Sequence, residues 1–531
     1  MAQIEGKLLE KVRKRYRSAR SIADQWSDIL EASFFYAVPF RNKFYEPKNF
    51  EGDMKNARVY DTTAVEATKS FVSKLQATMT PPQVQWGFLE LDEQYLQELE
   101  VEDAKQAQDE LDIYMRLLFN YIHESNFDVV VNECYFDLAV GTSCMVINQG
   151  DDKNPLLFTS IPIDKLAIEE AFNGKIESWY RTWEDIKINE INLRWKKAVI
   201  SEDMRQRMAT DIDAKESTIY EGVMFDPMEK KPYKYVVWTS MHVLLYEEYE
   251  SNPGIVWRFQ KTNNETWGRG PVMDALPSII SLNAIARIEL ASANLNTFRP
   301  YMAWGDGVFN PYTFKLEPFS VIPIAPVGAS SQFPLQPLPD ASNPQFGQFT
   351  IQDLRNQINK LLYADASDSL SVQPETATQL MINQQTLAQK VGPLFSRLQQ
   401  EFLEPVIRRC AFILDKMGLL PKPRMKDAEI QFKYKSPLAL SNGQQDISRL
   451  AQFIQMMQGI MGPEVTQMWL HPMNTPALMA ESLQVDPRYL NDARQIQQVA
   501  QDQQNMQSAM MAQAQEEGGA SPPPAQPPIE V

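Results

Sequence analysis

Histidine is scarce in this chain. Its 531 residues hold three, His123, His242 and His471, far apart in sequence. No local spacing therefore points to a histidine-based metal site or catalytic triad. Cysteine is equally scarce. Cys134, Cys144 and Cys410 show no paired spacing, which argues against a disulfide scaffold and for a reducing compartment. No apolar run approaches the ~20 residues of a membrane-spanning helix, so none is expected. The opening MAQIEGKLLEKVRKRYRSAR lacks the apolar core of a signal peptide. Positive charge is in deficit: 51 Lys and Arg against 68 Asp and Glu leave a net charge of −17. Such a balance argues against gripping nucleic-acid phosphates with a basic face, although a surface that must let DNA slide past would benefit from weak contact. WGRG at 267–270 precedes a helix, but lacks both the Lys-Ser/Thr tail and the GxGxxG spacing of phosphate loops. No catalytic, cofactor-binding or metal-ligating residue is assigned, and enzyme activity is not expected.

The chain does have material for a core, with 44% hydrophobic residues. Its length suits three or four average domains or one large elaborated one. The most conspicuous stretch is Phe349–Leu420. It reads as a helix, a short polar loop at Asp365–Glu375 without a basic residue, and a helix from Thr376 to about Gly418. At the helical rise the last would span roughly 65 Å, more than a globular domain needs. Leu387, Val391, Leu394, Leu398 and Phe402 recur at helical spacing. Gly392-Pro393 and Pro405 should bend this helix, because each proline removes a hydrogen bond and crowds the preceding turn.

Helical patterns also cover 4–36, 62–80, 101–124 and Asn126–Gly141, the last with Gly141 as a C-cap. The first has a basic middle (Lys11, Arg13, Lys14, Arg15, Arg17, Arg20), either a solvated face or a contact with an acidic partner. Strand alternation marks WGFLEL (86–91), CMVINQ, 155–188 with an Asn173-Gly174 hairpin turn, and 217–260 as an antiparallel meander. Residues 189–212 read as helical between them. A helix over 271–298 follows. Residues 300–348 hold nine prolines and exclude long helix; a loop that long is usually functional. A strand EIQFKYK and a helix over Asp446–Met461 come after the long helix. Ile496, Val499, Met506 and Met510 keep a heptad-like spacing, interrupted by Gln503, and GGASPPPAQPPIEV ends the chain with a disordered composition. The expected fold class is α+β, mainly helical. Trp26, Trp86, Trp179, Trp183, Trp238 and Trp257 read as core or subunit contacts, and His123 and Cys410 as packed. Arg397, Arg408 and Arg409 are placed against a neighbouring subunit's carboxylates in preference to DNA.

Four stretches carry a resemblance: SFVSKLQATMTPPQVQW (70–86), YIHESNFDVVVNECYFDLAVGTSCMVI (121–147), WGRGP (267–271) and TATQLMINQQTLAQKVGPLFSRLQQEFLEPVIRR (376–409). In this order the chain, over roughly 10–490, resembles the portal (head-to-tail connector) proteins of short-tailed double-stranded DNA bacteriophages. The resemblance implies a portal fold of wing, stem, clip and crown, assembled as a ring of twelve copies with a central channel. Residues 1–270 would be the wing, 271–298 and 349–364 the two stem helices, and 299–348 the clip. Residues 365–375 would be the tunnel loop, 376–418 the long kinked helix, 419–490 the crown, and 491–531 a candidate barrel helix with a Pro-rich tail. Double-stranded DNA would pass through without sequence specificity during packaging and ejection.

The implied partners are the terminase large subunit, then a tail adaptor protein, with the major capsid and scaffold proteins and internal core proteins; no membrane is implied. The implied location is the portal vertex of the virion, and host cytoplasm during assembly. Pro311, Tyr312, Phe314, Phe319 and Pro323 are the clip residues expected to dock motor and tail. Asp365, Ser367, Asp368, Ser369, Ser371, Gln373 and Glu375 would line the channel, offering hydrogen bonds without ionic capture of phosphate. Gly392 and Pro393 would form the helix hinge. The alternatives are a peripheral membrane or scaffold protein using the basic N-terminal helix on anionic lipid, and a hydrolase acting on DNA or cell wall.

Overall fold

The structure is a computed structural model. It describes residues 2–40, 58–91, 101–211, 213–297, 301–303, 335–337, 344–364, 396–421, 430–434, 454–456 and 459. The chain divides into two compact units, Met1–Tyr434 and Lys435–Val531. In the second, the described residues 454–456 and 459 are helical, within the helix expected over Asp446–Met461.

In the first unit, α1 (Ala2–Ala37) and α2 (Thr63–Met79) precede strand β1 (Gly87–Leu91), α3 (Val101–Glu124) and α4 (Phe127–Val140). The chain then turns to β2 (Thr142–Gln149), β3 (Leu156–Ser160), β4 (Leu166–Glu170) and β5 (Ile176–Lys187). Two short helices, α5 (Ile188–Arg194) and α6 (Glu202–Thr210), lead into β6 (Lys215–Phe225), β7 (Tyr233–Trp238), β8 (Val243–Tyr249) and β9 (Gly254–Arg258). β4 to β8 form a five-stranded antiparallel meander, and β9 returns to pair with β2, completing a three-stranded sheet in the order β3-β2-β9. The Asn173-Gly174 hairpin falls between β4 and β5 as its sequence predicts. Gly174 has φ +77°, and the Asn173 side chain accepts the Lys175 N–H at 3.0 Å.

Helix α1 lies across one face of the meander. Val12 and Ala19 pack against Ala167, Tyr180, Met224, Val236 and Trp238, with Tyr16 edge-on to Tyr220 at 5.0 Å. Its basic middle fits neither sequence reading alone. Arg15 donates to Glu169 at 2.9 Å and to the Phe225 carbonyl at 3.2 Å, and Arg20 donates to the Asp164 carbonyl at 2.8 Å. These cations hold the helix on its own sheet.

Two local expectations need correction, and a third holds for a different reason. Residues 189–212 are two helices, because Trp195 leaves helical backbone to bury its ring and donate its indole N–H to Tyr235 at 2.9 Å. Gly141 does end α4, but not in a left-handed cap. Its φ of 164° is extended; glycine is needed because a Cβ there would lie 2.1 Å from the Gly268 carbonyl oxygen. The second helix of the proline-split pair begins at Pro344 rather than 349, since proline suits a first helical turn.

The remaining elements are β10 (Gln260–Lys261), β11 (Gly268–Arg269), α7 (Pro271–Thr297), β12 (Tyr301–Ala303), β13 (Leu335–Pro337), α8 (Pro344–Leu361), α9 (Glu404–Met417) and β14 (Ile430–Tyr434). β1 pairs antiparallel with β14. Both strands are legible in the sequence, their partnership across more than 300 residues is not.

Candidate functional site

The tunnel-loop residues 365–375, the hinge pair Gly392 and Pro393, and the clip residues 311–323 lie outside the described residues. Their frame is described. Helices α7 and α8 pack side by side. β12 and β13 pair just beyond their ends, Tyr301 opposite Pro337 and Ala303 opposite Leu335, so the intervening insertion leaves and returns through one two-stranded neck. The pair is tied to the N-terminal region by polar side chains. In α7, Asn283 accepts the Tyr60 N–H at 2.6 Å. In α8, Arg355 grips Asp61 at 2.8 and 3.1 Å. Burial pushes the Asp61 carboxyl up, but the hydrogen bonds from Thr63 and Arg355 outweigh it and hold it below the usual range.

Apolar residues line both sides of α7, although the exposed side also carries Asp274, Ser281 and Arg287. Val272, Ala275, Ile279, Leu282 and Ala286 are buried. Pro277, Ile280, Ala284, Ile288 and Ala291 recur every three or four residues along the other side and are exposed, Ile288 at 66%. Phe349 on α8 is 75% exposed. A helix apolar on both sides belongs in a buried setting, and the described part of one chain covers a single side.

The long helix has its root in the described residues. It is α-helical at 396–398, widens to a π turn at Gln399–Leu403, and continues as α9 to a left-handed cap at Gly418, φ +72°. The Glu404 N–H reaches back five residues to the Gln399 carbonyl. Pro405 explains the widening: it has no N–H to offer the preceding turn, and its ring needs room there. The bend expected at Pro405 thus takes the form of a π turn.

That turn carries two neighbours onto strand β9. Phe402 stacks on Trp257 with ring centroids 4.2 Å apart, both rings fully buried. Glu401 receives a forked pair from Arg258, Nη2 to Oε1 at 2.8 Å and Nε to Oε2 at 3.3 Å, and also the Arg258 backbone N–H at 3.0 Å. Arg258 is fully buried and donates further to the Gly174 and Thr266 carbonyls, at 2.8 and 3.2 Å. Glu170 stands 3.7 Å from its Nη1 and is itself paired with Lys261. One guanidinium therefore joins the hairpin tip, strand β9 and the root of the long helix. This is a mechanical anchor; the arrangement presents no nucleophile or proton relay. Among the described residues, no group of three His, Cys, Asp or Glu is placed to hold a metal ion. The sequence reading missed this anchor: an arginine closing the apolar strand GIVWR was its one local mark, and its partner 143 positions away had none.

Of the other arginines of the long helix, Arg409 departs from the sequence reading. Arg408 pairs with Glu404 one turn back, at 2.8 Å. Arg409 is buried and donates to the Ile147 and Ser251 carbonyls at 3.3 and 3.1 Å, within its own chain. Arg397 is half-buried. The readings of Trp86, Trp179, Trp238, Trp257 and Cys410 as packed agree with their full burial.

The profile of a family described as bacteriophage head to tail connecting protein matches residues 9–490. The chain is 21% identical over 551 aligned residues to the probable portal protein of Bordetella phage BPP-1, covering 96% of this chain and 94% of that one. Two solved structures share a distant likeness. A chain of the native gene transfer agent virion gives a TM-score of 0.39 at 11% identity, over 79% of this chain and 90% of that one. A chain from the neck of the empty gene transfer agent particle gives 0.40 at 12%, over 82% and 94%. Likeness at that level adds no weight to an assignment. The match to the family profile does, spanning nearly the whole chain: the chain belongs to the bacteriophage head-to-tail connecting protein family.

Proposed function

We propose that the chain is a portal protein. Copies of it form a ring, of twelve subunits on the reading above, at one vertex of the capsid. The ring conducts double-stranded DNA during packaging and ejection, and serves as the docking platform for the terminase motor and then the tail. In this reading the meander and its helices are the wing, α7 and α8 the stem, and the insertion between β12 and β13 the clip. The acidic and serine-rich residues Asp365 to Glu375 narrow the channel without capturing phosphate, and Gly392-Pro393 gives the long helix its bend.

The observation that carries the ring is the exposed stripe Pro277, Ile280, Ala284, Ile288 and Ala291 on α7. It continues along a helix whose other side is already packed on α8 and hydrogen-bonded to Tyr60 through Asn283, so a second copy is the natural cover. The lipid-binding alternative loses support from α1, where Arg15 and Arg20 are engaged by the chain's own sheet. Among the described residues, no helix is long and apolar enough to cross a membrane.

Replacing Ile280 and Ile288 together by Glu tests this assignment. Both side chains are exposed in the single chain, so far-ultraviolet circular dichroism should be unchanged. Light scattering after size exclusion should show the ring mass of the parent protein replaced by monomer. Rings of unchanged mass from the double variant would overturn the stem assignment.

A further inference from the structure

A cleft of about 520 Å³ opens between the outer strand of the meander and α9. Arg409, Phe412 and Lys416 line it from the helix, and Tyr246, Glu247 and Tyr249 from β8. It belongs to neither the stem nor the Arg258 anchor, and the ring reading makes no use of it.

Its charge is unusual in a chain of net charge −17. Four cations, Lys197, Lys231, Arg409 and Lys416, share the lining with two carboxylates, Glu247 and Glu248. Both carboxylates are already engaged. Glu247 accepts Lys197 at 2.7 Å and the Tyr249 hydroxyl, and Glu248 accepts the Tyr246 hydroxyl at 2.7 Å. Arg409 is 6% exposed, yet no carboxylate among the described residues lies within ion-pair distance of it. Its Nε and Nη1 satisfy two backbone carbonyls, which leaves Nη2 with no acceptor there. Burial pulls this guanidinium down to about 10, so it is still charged at neutral pH. Lys416 is exposed, seven residues along the same helix and hence on the same face; among the described residues it makes no ion pair within 4 Å, and Glu247 feels its charge from farther off. Beyond two carbonyls, the Arg409 guanidinium has only the Tyr249 and Phe412 rings, 5.8 and 5.6 Å away, as compensation among the described residues, and no carboxylate.

We infer that this cleft is a docking site for an acidic peptide segment, one of whose carboxylates meets Arg409 and Lys416. A single buried guanidinium suits one carboxylate, and Phe412, Tyr246 and Tyr249 provide apolar wall for the chain that bears it. Nucleic acid is disfavoured, because a duplex presents its phosphates in a fixed, closely spaced row past Glu247 and the exposed Glu248, whereas a flexible peptide can place one carboxylate in the cleft and turn the others to solvent. The inference does not depend on the ring.

The test is fluorescence anisotropy of a fluorescein-labelled acidic hexapeptide, EELEEL, titrated with the full chain. Saturable binding is expected. Lys416→Glu should weaken it by at least about tenfold, the size of one lost charge-assisted contact and its reversal. Lys231→Glu, on the β6–β7 turn, is a second variant should the first disturb the helix end. Lys153→Glu, an exposed lysine outside the cleft, should leave affinity unchanged. No saturable binding would overturn the inference. So would equal weakening by Lys153→Glu and the cleft variants, or displacement of the peptide by inorganic phosphate or a short DNA duplex at equal concentration.

Discussion

Glu401→Gln lowers the stability of the first unit by about 3 kcal/mol, at the lower end of what breaking a buried ion pair costs. The substitution keeps shape and one acceptor but removes the charge facing Arg258, whose side chain is 1% exposed. The other carboxylate near it among the described residues, Glu170, is 3.7 Å away and already shared with Lys261. Urea denaturation followed by circular dichroism should show the fall as a lower midpoint. Arg408→Gln is the internal comparison. Its pair with Glu404 is one turn apart on the same helix and open to water, where such pairs contribute about 0.3–0.5 kcal/mol. Replacing both Arg258 and Glu401 by apolar residues of similar volume should cost less than Glu401→Gln alone, because no unpaired charge is left behind. Equal midpoints for Glu401→Gln and Arg408→Gln would mean that the anchor is not a mechanical joint.

Trp257→Ala should be of comparable size, about 3–5 kcal/mol, through the cavity left under Phe402. The stacked pair is the apolar half of the same joint, one residue from each member of the ion pair. Trp257→Phe separates volume from polarity. The Trp257 indole N–H has no hydrogen-bond partner among the described residues, so Phe forfeits only ring volume and should cost well under half as much. A Trp257→Phe variant as unstable as Trp257→Ala would contradict this packing. Both effects should appear in single chains, which distinguishes them from the assembly effect expected of the α7 stripe.

The joint explains what was and was not legible in the sequence. Signals that act within a few residues transferred well. Asn173-Gly174 made its hairpin because only the local backbone must comply. Gly418 capped the long helix in the left-handed conformation for the same reason. Where the cause was tertiary, the position survived but the reason changed. Gly141 ends its helix because the Gly268 backbone lies against it, a contact across 127 residues. Pro405 did disturb the helix, but whether a proline bends it or inserts a π turn depends on what Glu401 and Phe402 reach, and the sequence does not say. Arg409 was misplaced although its helical register was readable. Val406, Cys410 and Ile413 set a buried stripe that Arg409 borders, and the rule that arginine seeks a carboxylate outweighed that register in the reading. The pairing of Arg258 with Glu401 had no sequence signal, because nothing in spacing or composition links two residues so far apart.

The same division applies to function. The order of helices, meander, proline-rich insertion and long helix was enough to suggest a portal, and the match over residues 9–490 shows the family. The helical pattern of α7 was legible in the sequence. Which of its sides is left open could be seen only once Asn283 and the neighbouring helix had fixed its rotation.

Electron microscopy of the purified full chain is the most direct measurement of the central claim. The account predicts closed rings with a central opening, near twelve-fold symmetric, that disappear in the Ile280→Glu, Ile288→Glu double variant. Single chains that stay monomeric as concentration rises would contradict it.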